Sequence, residues 1–151
     1  MAEKTILLKA HPQPALEEYK ADAALSPGHL LELTTTGVKV HATAGGKCYA
    51  LVALEAPSAA VATAYASGDR VSCVWLRAGD EFLGILYNGE AVVIGDYLES
   101  QGDGTLRKAV ADTSAGTIKV GSLKFVAVEA KDMSGSAGVD PTPFFRVKVI
   151  S

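Results

Sequence analysis

The chain has 151 residues, 48% hydrophobic and 21% charged, a composition typical of a globular protein and one that excludes long disordered regions. A formal net charge of -3 leaves no basic stripe to neutralise a phosphate backbone, so direct nucleic-acid binding is not expected. No apolar run approaches the ~20 residues of a membrane span, so no membrane partner is expected. Fifteen glycines favour a turn-rich, all-β chain.

Residues 1–27 differ from the rest and are predicted to form an extended N-terminal arm. Residues 5–10 have the composition of a short strand, residues 11–14 interrupt pairing because proline lacks an N–H donor, and residues 16–20 are predicted to form one helical turn. The arm suits docking onto another chain or strapping its own domain, and both alternatives stay open. Its candidate contact residues are the apolar anchors Ile6, Leu7, Leu8, Leu16 and Tyr19.

Residues 28–151 are predicted to form one small β-barrel or β-tulip-like domain built of hairpins. A turn at Ser26-Pro27-Gly28 opens it. A first hairpin is predicted over residues 30–41, turning at Thr34-Thr35-Thr36-Gly37, and residues 49–54 have the continuous apolar pattern of a strand buried on both faces. Residues 58–64 are compatible with the single short helix of the chain or with a loop.

Beyond residue 70, short strands alternate with glycine turns. Asn88-Gly89 is the strongest short hairpin signal of the chain, because both residues tolerate positive φ. A second hairpin is predicted within residues 94–108, turning at Gly102-Asp103-Gly104. The further predicted strands cover residues 71–76, 81–86, 91–94, 118–120, 123–128 and 144–150, the last with clean alternation.

The two predicted hairpins belong to an imperfect internal repeat. Gly28-His29-Leu30-Leu31-Glu32 parallels Gly95-Asp96-Tyr97-Leu98-Glu99, and Gly37 and Ala42 match Gly104 and Ala109 at the same offset. Each copy then reaches a similar strand, residues 52–56 in one and 126–130 in the other. The shared requirement is a glycine that frees φ before a strand, followed by a hairpin whose tip needs glycine.

The glycine- and aspartate-rich turns do not have the pattern of a catalytic or metal site. A calcium loop needs about six oxygens, usually from several carboxylates, whereas Asp103 stands alone between glycines. The neighbouring carboxylates Glu99 with Asp103, and Asp80 with Glu81, are interpreted as exposed turn and strand charges, since adjacent strand residues face opposite sides.

The remaining reactive side chains form no recognisable constellation either. His11, His29 and His41 are scattered over arm, turn and strand, and no nucleophile elbow or phosphate-binding glycine motif occurs. Cys48 and Cys73 lie in apolar surroundings, typical of buried, reduced thiols. We therefore expect no enzyme, no cofactor and no metal.

Four segments in order resemble the head decoration, or cement, proteins of tailed bacteriophages. They are Tyr65-Ala66-Ser67-Gly68-Asp69-Arg70-Val71, Arg77-Ala78-Gly79-Asp80-Glu81, Gly95-Asp96-Tyr97-Leu98-Glu99-Ser100 and Gly102-Asp103-Gly104-Thr105-Leu106-Arg107-Lys108. The match covers roughly residues 65–110, and the flanks follow only in pattern.

The resemblance implies a small β-barrel or β-tulip domain with an extended arm, binding the outer surface of an expanded capsid as a trimer or dimer. It implies the major capsid protein as partner, clamped against internal genome pressure, and synthesis in the host bacterial cytoplasm. No catalytic residues come with the family. Two alternatives remain: another virion β-domain, associated with a tail tube or fibre, and a small β-barrel enzyme or ligand-binding module.

Overall fold

The computed structural model describes residues 5–57, 59–110, 124–135 and 142–150, which form β-strands and no helix. The predicted all-β class is therefore confirmed. The strands are β1 (Leu7–Lys9), β2 (Ala15–Lys20), β3 (Leu31–Leu33), β4 (Val38–Val40), β5 (Leu51–Ala53), β6 (Arg70–Trp75), β7 (Glu81–Ile85), β8 (Ala91–Val92), β9 (Tyr97–Ser100), β10 (Leu106–Lys108), β11 (Phe125–Ala127), β12 (Lys131–Asp132) and β13 (Phe144–Val149).

Two of the predicted hairpins, each with its strands joined by a short turn, are present in the structure. The hairpins β3–β4 and β9–β10 and the closing strand β13 are confirmed. The helical turn at residues 16–20 is wrong, because this segment is the strand β2, paired along its whole length with β6. Residues 59–64 form turns rather than a helix, and the strand predicted at residues 118–120 lies outside the described residues.

The hairpin predicted at Asn88-Gly89 is also wrong. The turn exists, and Gly89 has a φ of 97°, but the strands on its two sides do not pair with each other. β8 pairs with β12, whereas β7 pairs with β1 and β13. A favourable turn therefore fixes a change of direction without deciding which strands become partners.

The strands form two five-stranded units with the same connectivity. The first unit contains β2, β6, β5, β3 and β4 in spatial order, and the second contains β7, β13, β11, β9 and β10. Neighbouring strands are antiparallel in both. In each unit one parallel bridge joins the residue that follows the first strand in space to the last strand in space. The bridge pairs Ala21 with Val38 of β4 in the first unit, and Leu86 with Leu106 of β10 in the second. In the described residues the sheets otherwise stay open, and none closes into a barrel.

The two units also agree in register. Val52 pairs with Val74 and bridges to Leu30, just as Val126 pairs with Lys148 and Tyr97. Even hydrogen bonds outside the ladders are duplicated: Leu54 N–H donates to Ser72 O at 2.8 Å, and Val128 N–H donates to Arg146 O at 3.1 Å. The predicted repeat is thus confirmed for residues 28–32 with 95–99 and for the strands at 52–56 and 126–130. Its match of Gly37 with Gly104 is wrong by one residue, because Val38 takes the place of Leu106. The repeat also includes β2, β6, β7 and β13, which the sequence did not indicate.

The interiors of the units correspond position by position. Seven buried residues of each unit occupy equivalent positions in the strand register. They are Ala21, Leu31, Val38, Leu51, Ala53, Val71 and Cys73 in the first unit and, in the same order, Leu86, Leu98, Leu106, Phe125, Ala127, Phe145 and Val147 in the second.

Differences in side-chain size within the interiors offset one another. Phe125 and Phe145 replace the smaller Leu51 and Val71, and Gly84 stands where the first unit has Tyr19. A Cβ on Gly84 would lie only 2.9 Å from Leu106 Cδ1 and 3.1 Å from Val147 Cγ2, so these two side chains leave little room for any residue larger than glycine.

Five turns share a geometry that we call the turn clamp. Each has glycine at its third position with φ between 90° and 98°, as a type II turn requires, and its fourth N–H donates to its first carbonyl. The glycine N–H donates to the carbonyl of a residue in another segment, and the N–H of that residue donates to the carbonyl of the fourth turn residue. The N···O distances of these bonds are 2.7–3.1 Å in all five turns. The turns are 26–29, 66–69, 77–80, 87–90 and 93–96, and they hold Ala53, Ala21, Val149, Met133 and Ala127 respectively.

A side chain at the fourth position completes most of these turns. Asp69 Oδ2 accepts from Ala66 N–H at 2.8 Å, and Asp80 and Asp96 repeat this bond. We expect Asp69→Ala to lower the free energy of unfolding by about 1 kcal/mol, because one turn N–H loses its acceptor. Glu90→Ala is the matched control, since the turn at 87–90 carries backbone bonds alone. Equal effects of both variants in urea unfolding would contradict this role.

The packing of Gly84 gives a second prediction. Gly84→Val should lower the free energy of unfolding by about 2 kcal/mol or more, because the added methyl groups overlap Leu106 and Val147. Gly84→Ala should have a smaller effect of the same sign. Ile85→Val, at a half-buried neighbour on the same strand, is the control and should cost less than about 1.5 kcal/mol. Calorimetry that finds Gly84→Val as stable as the unmodified chain would refute the described packing.

Candidate binding surface

Three of the four carboxylates that the sequence analysis interpreted as exposed are buried, and that interpretation is wrong for Asp80, Glu81 and Glu99. Asp103 is exposed, as expected, and caps the β9–β10 hairpin by accepting from Thr105 N–H at 3.0 Å. Asp80 and Glu81 are buried by partners from distant segments, whereas the partners of Glu99 lie within its own hairpin and just beyond it.

Glu99 lies fully buried in an ion pair across the β9–β10 hairpin. Its Oε1 accepts from Arg107 Nε at 3.0 Å and Nη2 at 2.9 Å, and from Val110 N–H at 3.3 Å. Two guanidinium N–H groups and one backbone N–H converge on this oxygen, and charge-assisted bonds of this kind offset part of the cost of burying a carboxylate. Glu99 therefore has a structural role in the hairpin.

Asp80 and Glu81 attach the N-terminal segment to the second unit. Asp80 Oδ1 accepts from His11 N–H at 3.1 Å and contacts His11 Nδ1 at 2.7 Å. Glu81 Oε2 lies 3.2 Å from both Lys9 Nζ and Arg146 Nη2. Burial pushes the pKa of Glu81 upward, but the bonds and charges of Lys9 and Arg146 outweigh it and hold the pKa below its ordinary value.

His41 and Ser100 form a buried pair where the two units meet. His41 Nε2 lies 2.8 Å from the carbonyl of Lys47, which can only accept, so in the neutral ring Nδ1 accepts from the Ser100 hydroxyl at 2.6 Å. Ser100 Oγ in turn accepts from Gly102 N–H at 3.1 Å. Ser100 has no exposed surface, and a backbone carbonyl stands where a nucleophilic triad has its carboxylate. The pair therefore joins the two units.

Both cysteines are free and buried, as predicted. Burial raises the pKa of Cys48 to about 11 and that of Cys73 to about 12, so neither is a thiolate near neutral pH. Among the described residues, no group of three or more histidines, cysteines and carboxylates could hold a metal ion. The described part of the chain also contains no helix long and apolar enough to cross a membrane.

The thiols provide a test of this packing. A thiol reagent at pH 8 should leave Cys48 and Cys73 unmodified in the folded protein and modify both in urea. Because folding raises both pKa values above the ordinary 9.0, the thiols' contribution to stability is complete below that pH and is lost as pH rises through the folded values. Unfolding by urea at pH 7 and pH 10 measures the difference. Rapid modification of the folded protein would contradict the burial.

The predicted contact residues of the arm separate into buried and exposed members. Ile6 is completely buried in the main core. Leu7 and Leu8 pack beside the same core on β1, and Tyr19 packs on the interior of the first unit. Leu16, 58% exposed on β2, is the one most available to another chain.

Residues 5–20 are thus paired with their own chain, β1 with β7 and β2 with β6. The division of the chain at residue 27 stays a prediction.

Four strongly exposed apolar side chains lie together at one end of the second unit. We call Val93, Ile94, Tyr97 and Val110 the apolar tip; their exposed fractions are 61%, 70%, 56% and 57%. The first three belong to one turn clamp and the strand that follows it, and Ala109 N–H donates to Tyr97 O at 2.8 Å, which brings Val110 alongside. Clustered exposed apolar residues of this kind mark interaction surfaces more often than isolated ones do.

The first unit shows why this tip is available. Its equivalent of Tyr97 is Leu30, which is buried in the core shared with the second unit. The tip was not predicted from the sequence, because residues 91–94 have the pattern of a strand. The structure ends β8 at Val92 and puts Val93 and Ile94 in the first half of a turn, where side chains face outward.

The fold has a counterpart among solved structures. The N-terminal base of the head fiber protein gp8.5 of bacteriophage phi29 has a similar structure, with a TM-score of 0.54 over 92% of this chain and 95% of that one. The two share 15% sequence identity, so the likeness establishes the fold alone. No protein-family model and no curated protein matches the sequence.

Proposed function

We propose that this protein is a bacteriophage capsid decoration protein that binds the outer surface of the expanded head and clamps adjacent major capsid subunits against internal DNA pressure. The observation that carries the proposal is the fold, which extends over nearly the full length of both this chain and a phage head-fiber base. The ordered turn segments of residues 65–110 support it independently. The wild-type protein should co-sediment with expanded shells of its phage, and failure to bind them would refute the proposal.

The apolar tip is the surface that we assign to the capsid. It presents four clustered apolar side chains, two of them on a turn held by reciprocal backbone hydrogen bonds, so little conformational entropy is lost on binding. The buried carboxylates, thiols and His41–Ser100 pair have structural partners, which supports a binding role without catalysis. Repeated attachment at many symmetric positions strengthens a modest contact through avidity.

A substitution at the tip tests this assignment. Ile94→Asp should weaken shell binding at least about tenfold, since a charge would be desolvated in the contact, yet leave stability within about 0.5 kcal/mol because the side chain is 70% exposed. Leu33→Asp, at a 40% exposed leucine of the first unit, is the matched control and should bind normally. Shell binding unaffected by Ile94→Asp would remove the tip from the interface.

A second candidate function is the base of a head fibre, which the identity of the structural counterpart favours. Both functions place the protein on the virion exterior after synthesis in the host cytoplasm, and for both we propose a homotrimer, with a dimer as the alternative. Electron microscopy of decorated shells separates them: compact knobs indicate a decoration protein, and projecting filaments that depend on this chain indicate a fibre base. Sedimentation measures the oligomeric state.

A further inference from the structure

The two units differ at one edge. In the second unit, the outer edge of β7 is covered by β1, and Leu83 N–H donates to Ile6 O at 2.8 Å. In the first unit, β2 holds the position of β7, but within the described chain its outer edge pairs with no strand. An uncovered edge strand of six residues is a ready template for another strand.

Equivalent registers identify the free backbone group. Leu83 pairs with Arg146 as Glu18 pairs with Ser72, so Glu18 takes the place of Leu83. The outward direction of the Leu83 N–H therefore predicts that the Glu18 N–H also faces away from β6. This N–H is the donor that an added strand would use, and the pairing of β2 with β6 does not depend on it.

A groove accompanies the edge in both units. In the first unit it has a volume of about 610 Å³, and its walls include Glu18, Glu55 and Ser72. In the second unit the groove lined by the corresponding Leu83, Glu129 and Arg146 has shrunk to about 200 Å³, and Leu8 and Lys9 of β1 form part of its lining. The groove of the first unit thus corresponds to the groove of the second unit, but no strand equivalent to β1 lines it in the described chain.

The charges of the groove indicate what would fill it. Glu17, Glu18 and Glu55 line it, and Leu16 supplies an exposed apolar contact. In the second unit, the strand that covers β7 is apolar and ends in Lys9, which lies 3.2 Å from Glu81. Leu16 takes the place of Glu81 in the first unit, where the carboxylates stand at the next two positions of β2. An occupant with alternating apolar residues and a lysine or arginine would match the three carboxylates.

We propose that the outer edge of β2 binds an extended, lysine- or arginine-bearing segment of a partner protein, added as an antiparallel strand. Main-chain bonds to Glu18 supply the pairing, and Glu17, Glu18 and Glu55 select a basic segment. This site is separate from the apolar tip, so it gives the protein a second attachment point. The inference does not depend on the proposed function, since any partner that offers such a segment suffices.

The test uses the full-length protein and a fluorescent peptide of the chain's own covering strand, Thr-Ile-Leu-Leu-Lys-Ala. Fluorescence anisotropy should detect saturable binding to the wild-type protein. A peptide with glutamate in place of its lysine should bind more weakly, because it would face three carboxylates. Absence of binding by the lysine peptide overturns the proposal.

Two variants at one position separate backbone pairing from charge. Glu18→Pro removes the N–H and should weaken binding at least about tenfold, whereas Glu18→Thr keeps the N–H and should weaken it only a few-fold. Thermal unfolding checks that both variants fold. If Glu18→Pro does not fold, charge reversal with E17K and E18K replaces it and should abolish binding of the lysine peptide.

Two results contradict the proposal. Peptide binding that survives Glu18→Pro would mean that the peptide displaces β1 from β7. Concentration-dependent self-association of the wild-type protein that Glu18→Pro abolishes would mean that the β2 edge pairs with a second copy rather than with a basic partner segment. Sedimentation of the wild-type and variant proteins without peptide distinguishes the second result.

Discussion

The turn clamp is the interaction on which the rest of the structure depends. Each clamp requires one glycine with a positive φ and forms a reciprocal pair of backbone hydrogen bonds with a residue of another segment. The pair fixes the register of the strand that follows, and register decides which side chains face inward. Because all five clamps introduce a strand, local turn chemistry sets long-range geometry throughout the chain.

Duplication of this arrangement explains how a sequence with little internal identity builds two matching units. The backbone hydrogen bonds are the same in both units, whereas the side chains of the two interiors differ in size. Tyr19 with Leu51 and Val71 fills one interior, and Gly84 with two phenylalanines fills the other. Cores accept such exchanges when their volume is kept, so the units diverged in sequence without diverging in connectivity.

The sequence predicted the parts of the fold whose partners lie nearby. The hairpins β3–β4 and β9–β10 close on themselves, so their glycine tips and flanking alternation contain the needed information. It did not predict β2, because an edge strand with three exposed central residues lacks an alternating pattern. The burial of Asp80 and Glu81 was missed because their partners His11, Lys9 and Arg146 lie far away in the sequence.

The path of β1 has a consequence for biosynthesis. β1 precedes the first unit in the chain, but its partner β7 belongs to the second, so the whole first unit leaves the ribosome before β1 can be paired. Throughout that interval the apolar side chains of Ile6, Leu7 and Leu8 remain without the strand that shelters them. The first unit must then either fold while residues 5–10 are unpaired or pair them temporarily with the edge of another strand. The nascent chain is therefore most prone to associate wrongly before residues 81–85 emerge from the ribosome. A chaperone that covers residues 5–10 during that interval would prevent this.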